Sequence, residues 1–203
     1  ILGDEESLLR FDSESGRSFM RRFYAPENMV FFSMGRIPFK KIVQMAESTL
    51  SDIAFPMAAR NRTAPGELLP VSRQIHKDTH QAHVMIGGRG YHAYDERRTG
   101  LYLLNNILGG PGMNSRLNVS LRERRGLVYN VEANLTSYTD TGVFCIYFGT
   151  DPEDADRCIG LVHKELKKLS DSKLSSSQLS AAKKQIIGQI GVAGDNFENN
   201  ALD

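Results

Sequence analysis

Tryptophan is absent from these 203 residues, and cysteine occurs only twice, at Cys145 and Cys158. Two cysteines cannot build the multi-bridge framework of a small secreted scaffold. Their spacing fits no metal motif either. Cys145 sits in an apolar strand-like run and Cys158 on the apolar side of a helical pattern, so both read as buried free thiols. That leans toward a reducing, cytoplasmic compartment. Charge of one sign is also missing: 25 basic residues against 24 acidic leave a net +1. Such a balance offers no electrostatic case for nucleic acid or an anionic membrane as partner. No apolar run approaches the length of a membrane span. The glycine clusters "GGRG" and "GGPG" lack the lysine and the strand–helix context of a phosphate loop, and read as tight turns.

What remains is ample for a packed core, with 40% hydrophobic and 24% charged residues. The length allows one medium domain or two small ones. Residues 12–25 read as a helix capped by Asp12 or Ser13 and ended by Pro26, with Phe19, Met20 and Phe23 on its apolar side. "NMVFFSMG" (28–35) reads as a buried strand. Pro38 is placed to start a helix, in which Phe39, Ile42, Val43 and Ala46 recur at helical spacing. Residues 51–72 lose periodicity and hold three prolines, which marks a linker. A strand over 74–88 and a helix over 95–108, with Leu101, Leu104 and Leu108 on one side, come next. A short helix spans 115–125, and strands over 128–138 and 142–150 are joined as a hairpin. Two amphipathic helices close the chain. The first is 152–169; the second carries Leu179, Ala182, Ile186, Ile190, Ala193 and Phe197. The expected fold is α+β: a mostly antiparallel sheet with helices packed on one side.

"GGPGMNSRLNVSLRERRGLVYNV" raises the functional question, because it crowds Arg116, Arg122, Arg124 and Arg125 between a glycine turn and a strand. One reading is structural. Gly126 stands where a left-handed residue would end a helix, and arginines in the last turn suit the helix dipole. That reading fits Arg124 and Arg125. The other is functional. Leu117 and Leu121 face the core, Arg122 projects beside them, and Tyr129 opens the next strand. A guanidinium and a phenol pointing into one cleft would orient a peptide carbonyl or steady a developing oxyanion.

This stretch resembles the signature of the second, non-zinc domain of pitrilysin/insulinase-type zinc peptidases, which include mitochondrial processing peptidase. "KDTHQAHVMIGGRG" is similar to the strand that opens that domain, and "DTGVFCIYFGTDPEDADRCIGLVHKEL" to its next hairpin and helix. The first 37 residues are similar to the end of the preceding zinc-carrying domain. The resemblance implies residues 1–50 as the C-terminal part of the zinc-carrying domain, 51–72 as a linker, and 73–203 as the N-terminal and central part of the second domain. It also implies that Arg122 and Tyr129, seven residues apart, are the pair that assists catalysis and binds substrate. Gly110, Gly112 and Ser115 would supply further substrate contacts. The expected partner is a peptide or unfolded polypeptide, with a homo- or heterodimer possible.

The family's zinc is held by H-x-x-E-H and a downstream glutamate. The chain has no H-x-x-E-H. Zinc is therefore expected in the full-length parent and not in this fragment, which would not hydrolyse peptides alone. The alternative is a non-catalytic, peptide-binding partner subunit. His76 and His80 are expected on one face of a strand and His83 on the other, so the three do not suggest a metal site. The chain opens at Ile1 and closes soon after a helical pattern, which reads as a piece of a longer protein. Residues 1–50 are expected to complete the second domain's sheet in one unit, or to swap between two copies.

Overall fold

The computed structural model describes residues 3–54, 57 and 63–194. They fall into two compact units, divided between Thr63 and Ala64. The first holds α1 (Glu5–Leu9), α2 (Ser13–Phe23) and α3 (Phe39–Leu50). Asp12 caps α2 by accepting from the Ser15 amide at 2.7 Å. Phe19 and Phe23 pack ring to ring at 4.7 Å on the expected side of α2. No residue of these helices is buried, although Ala25 just after α2 is. The expected strand over 28–35 does not form. Met29 onward is irregular, and Val30 is 92% exposed. A strand needs a neighbour to satisfy its backbone, and this unit supplies none among its described residues.

The second unit carries the core. β1 (Ala82–Gly90), β2 (Val128–Ser137) and β3 (Gly142–Thr150) form an antiparallel sheet in the order β1-β3-β2. Among the described residues the sheet is built wholly of residues 82–150, and residues 3–50 contain no strand. One face buries Val128, Val131, Ala133, Ile146 and Phe148. Against it pack Leu108 of α4 (Arg98–Gly109), Leu117 and Leu121 around a π-helical turn (Asn118–Glu123), and Cys158 and Val162 of α5 (Ala155–Asp171). α6 (Ser176–Ala193) opens with a capping box, Ser175 with Gln178, and bridges to α4 through Asn106 and Gln189, whose amides bond at 2.7 Å. The architecture is the expected α+β one, with helices on one side.

Several boundaries differ from expectation. β1 begins at Ala82, so His76 and His80 lie ahead of it in irregular backbone and share no strand face. "GGRG" is not a turn but the end of β1. Gly90 pairs with Gly142, where a Cβ would lie 2.3 Å from the Tyr91 carbonyl oxygen. Bare glycines let the two chains approach there. In α4 the buried side carries Asn105, Asn106 and Leu108, while Leu104 is turned outward. The short helix is π-helical over 118–123. Cys158 is buried and Cys145 half-buried, and both are free. In α6 Ala182 is buried but Ile190 is exposed, and Phe197 lies outside the described residues. Among the described residues no helix is long and apolar enough to cross a membrane.

Candidate functional site

Arg122 rides the π-helical turn, whose signature bond is the Arg124 amide donating to the Val119 carbonyl. The turn ends at Gly126, in the left-handed region at φ 63°. Its amide donates to the Arg122 carbonyl at 2.7 Å, and the Leu127 amide to Leu121 at 3.0 Å. This is a Schellman-like closure widened by one residue, as a π turn requires. Arg125 acts as a cap, donating to the Ser120 carbonyl at 2.5 Å. Arg122 does not: it is exposed, and its guanidinium has no hydrogen bond or ion pair to any described residue. The dipole reading thus accounts for Arg125 and leaves the Arg122 guanidinium free.

The turn packs against β2. There the strand register shifts between Val128 and Asn130, which makes Tyr129 the extra residue of a β-bulge. Val128 and Val131 are both buried around it, while Tyr129 is 61% exposed. Bulges re-aim side chains, and this one points a phenol out of the sheet beside the π turn. Tyr129 donates to Asp151 Oδ1 at 3.3 Å. Arg122 and Tyr129 therefore occur on adjoining elements as two exposed groups.

The glycine turn stands differently. Gly110 is buried, and a Cβ there would lie 2.6 Å from the Asn106 carbonyl oxygen. Gly112 is half-buried. Ser115 is 3% exposed, and its hydroxyl accepts from Asn118 at 2.9 Å. Ser115, Arg116, Asn114, Gln178 and Gln185 line a concavity of about 240 Å3 between the turn and α6. A second, more apolar hollow of about 740 Å3 lies between Tyr102, Pro111, Ile186 and Ile190. Neither includes Arg122 or Tyr129.

His83 is a hydrogen-bonded strand histidine, its Nδ1 lying 2.8 Å from the Tyr147 hydroxyl and its ring stacked on that phenol. Among the described residues no three histidine, cysteine or acidic side chains come together to hold a metal. The zinc implied by the resemblance does not fit these residues, and no chemical step through it is assigned to them. Asp151 was not singled out by the sequence. Its place beside Tyr129 depends on a bulge, and a bulge follows from pairing between strands rather than from local pattern.

Comparison with known proteins agrees with this fold. The model of the family described as "Peptidase M16 inactive domain" matches residues 10–186. The chain is similar to the Bacillus subtilis protein named "Uncharacterized zinc protease YmxG", at 32% identity over 190 residues, covering 94% of this chain and 46% of that protein. It is similar to the Streptomyces coelicolor "Uncharacterized zinc protease SCO5738" at 31% over 199 residues, covering 93% and 42%. The crystal structure of a peptidase M16 inactive domain from Pseudomonas fluorescens superposes with a TM-score of 0.80 at 25% identity, covering 95% of this chain and 49% of that one. The chain thus spans about half the length of these relatives. With most of its length matched by that one model, the chain belongs to the M16 family of peptidases, in the part of the family described as the inactive domain.

Proposed function

We propose that this chain supplies the polypeptide-binding, non-zinc half of a zinc-dependent metalloendopeptidase, the metal being held elsewhere in the full-length protein. Arg122 and Tyr129 are its polar contacts to substrate. The guanidinium holds a peptide carbonyl, and the phenol donates to the charge that develops on the scissile carbonyl oxygen. The observation that carries the reading is the free, exposed Arg122 on a turn packed against the strand whose bulge presents Tyr129. The names of the relatives as zinc proteases support it. Gly110, Gly112 and Ser115 belong to the same proposal as the wall that leads into the arginine-bearing turn; Ser115, already bonded to Asn118, holds its shape.

The description of the matched domain as inactive favours a second reading, a peptide-binding subunit whose metal-bearing partner does the cutting. One experiment addresses both. Arg122→Ala and Tyr129→Phe are made in the full-length protein, and peptide turnover and peptide binding are measured. The first reading expects losses on the order of 10²-fold in turnover from either variant. Turnover at the wild-type rate by both removes the pair from the mechanism. Binding without any turnover by the purified wild type selects the second reading.

A further inference from the structure

Tyr129 is held by a neighbour that sequence inspection does not single out. We propose that Asp151 is a positioning residue for Tyr129: in the free protein its carboxylate accepts the phenol's single O–H and holds the ring in place, and the O–H turns from Asp151 to the peptide oxygen when a polypeptide binds. The inference rests on the reading of Tyr129 as a substrate contact given above.

Three features of the local scaffold support it. The first is the bulge, which fixes the Tyr129 backbone opposite the end of β3, where Val128 pairs with Thr150 and Asn130 with Gly149. The second is the anchoring of Asp151 itself. It directly follows Thr150, which is fully buried and whose Oγ1 donates to the Leu127 carbonyl at 2.5 Å. The strand ends that carry Tyr129 and Asp151 are thereby stitched together. On its other side stands Pro152, which restricts the preceding residue to extended backbone; Asp151 has φ −68° and ψ 144°. Its carbonyl also accepts from the Asp154 amide at 3.0 Å. Third, the Asp151 carboxylate has no competing cation. Arg157 pairs with Asp154 instead, and Tyr129 is the one side-chain partner of Asp151 among the described residues.

A tyrosine that is 61% exposed would otherwise sample several rotamers. At 3.3 Å the contact is long for an O–H···O hydrogen bond, so the proton can leave it for a closer acceptor, and it joins an exposed ring to a fixed strand end. The ring is thereby ordered before substrate arrives, and only the O–H has to rotate from the carboxylate to the substrate oxygen.

The test uses the full-length protein with Asp151→Ala, Asp151→Asn, Tyr129→Phe and the Asp151→Ala/Tyr129→Phe double variant. Asp151→Ala should lower kcat roughly fivefold, the net worth of about one hydrogen bond, with KM changed less than about twofold. Asp151→Asn, whose amide oxygen still accepts, should recover most of that loss. In the Tyr129→Phe background Asp151→Ala should have no further effect. Ring-labelled tyrosine NMR supplies a readout independent of turnover: the Tyr129 signal, identified by its loss in Tyr129→Phe, should move on Asp151→Ala. An equal kinetic loss in both backgrounds overturns the inference, because Asp151 then acts through something other than Tyr129. A Tyr129 signal that stays put overturns it too, and leaves the reading of Tyr129 standing. Wild-type turnover by Tyr129→Phe overturns both.

Discussion

Two glycine-to-alanine changes in the second unit should move stability in opposite directions. Gly126 has φ 63°, and a Cβ placed there meets nothing within 4 Å. The cost of alanine is therefore purely one of backbone conformation, about 1–2 kcal/mol for an L residue in the left-handed region. Alanine also restricts the unfolded chain, which returns about 0.4–1 kcal/mol. The net expectation is a loss of about 1 kcal/mol. Gly160 lies inside α5 at an exposed position, with ordinary negative φ and equally open surroundings. There the helix propensity of alanine should add about 0.5–1 kcal/mol. The two variants should differ by about 2 kcal/mol, roughly a 30-fold change in the folding equilibrium. Urea unfolding followed by circular dichroism reads this directly, as shifts of midpoint in opposite senses at unchanged slope. Gly126→Asn should fall between wild type and Gly126→Ala, since asparagine tolerates the left-handed region. If Gly126→Ala proves as stable as wild type, the widened closure at the end of the Arg122 turn is not the one described.

Other predictions follow from single contacts. Thr150→Val keeps the shape of a fully buried side chain but removes the donor to the Leu127 carbonyl, and should cost about 1–2 kcal/mol in the same unfolding assay; an unchanged midpoint would show that the strand ends are not stitched there. The Asp95 carboxyl is held at about 2 by hydrogen bonds from the Arg97 guanidinium and then from the Arg97 amide. Its folded value lies below the ordinary 3.8, so the linked stability is complete above that range and is lost as pH falls through about 2. NMR titration should find the midpoint near 2 in wild type and moved up toward 3.8 in Arg97→Gln; a wild-type midpoint already near 3.8 would refute the contact.

How much of this was legible in the sequence follows a physical pattern. Periodicity located α2, α3, α4, α5, the β2–β3 hairpin and the start of α6, because each repeats apolar residues along one face. It failed where a local pattern needs a distant partner. Val30, Phe31 and Phe32 read as a strand but find none to pair with in their unit. "GGRG" reads as a turn, yet glycine at a strand end is what lets β1 and β3 close up at Gly90 and Gly142. Leu104 is expected on the apolar side of α4 but is turned outward, and that helix instead buries Asn105 and Asn106, whose amides donate to the Ala133 carbonyl of β2 and to Gln189 of α6. At the site, the left-handed glycine and the arginine–tyrosine spacing stood in the chain as written. The π character of the turn, the bulge at Tyr129 and the role of Asp151 did not, since all three depend on how β2 registers against β3 and the turn.

The central claim, that Tyr129 faces bound polypeptide, is tested most directly by photo-crosslinking. A benzophenone amino acid replaces Tyr129 in the full-length protein, with the same group at the similarly exposed Tyr102 on α4 as control. An unfolded polypeptide should become covalently joined through position 129 and be displaced by unlabelled competitor, with little joining through position 102. Equal labelling from both positions, or none from 129, would contradict the account.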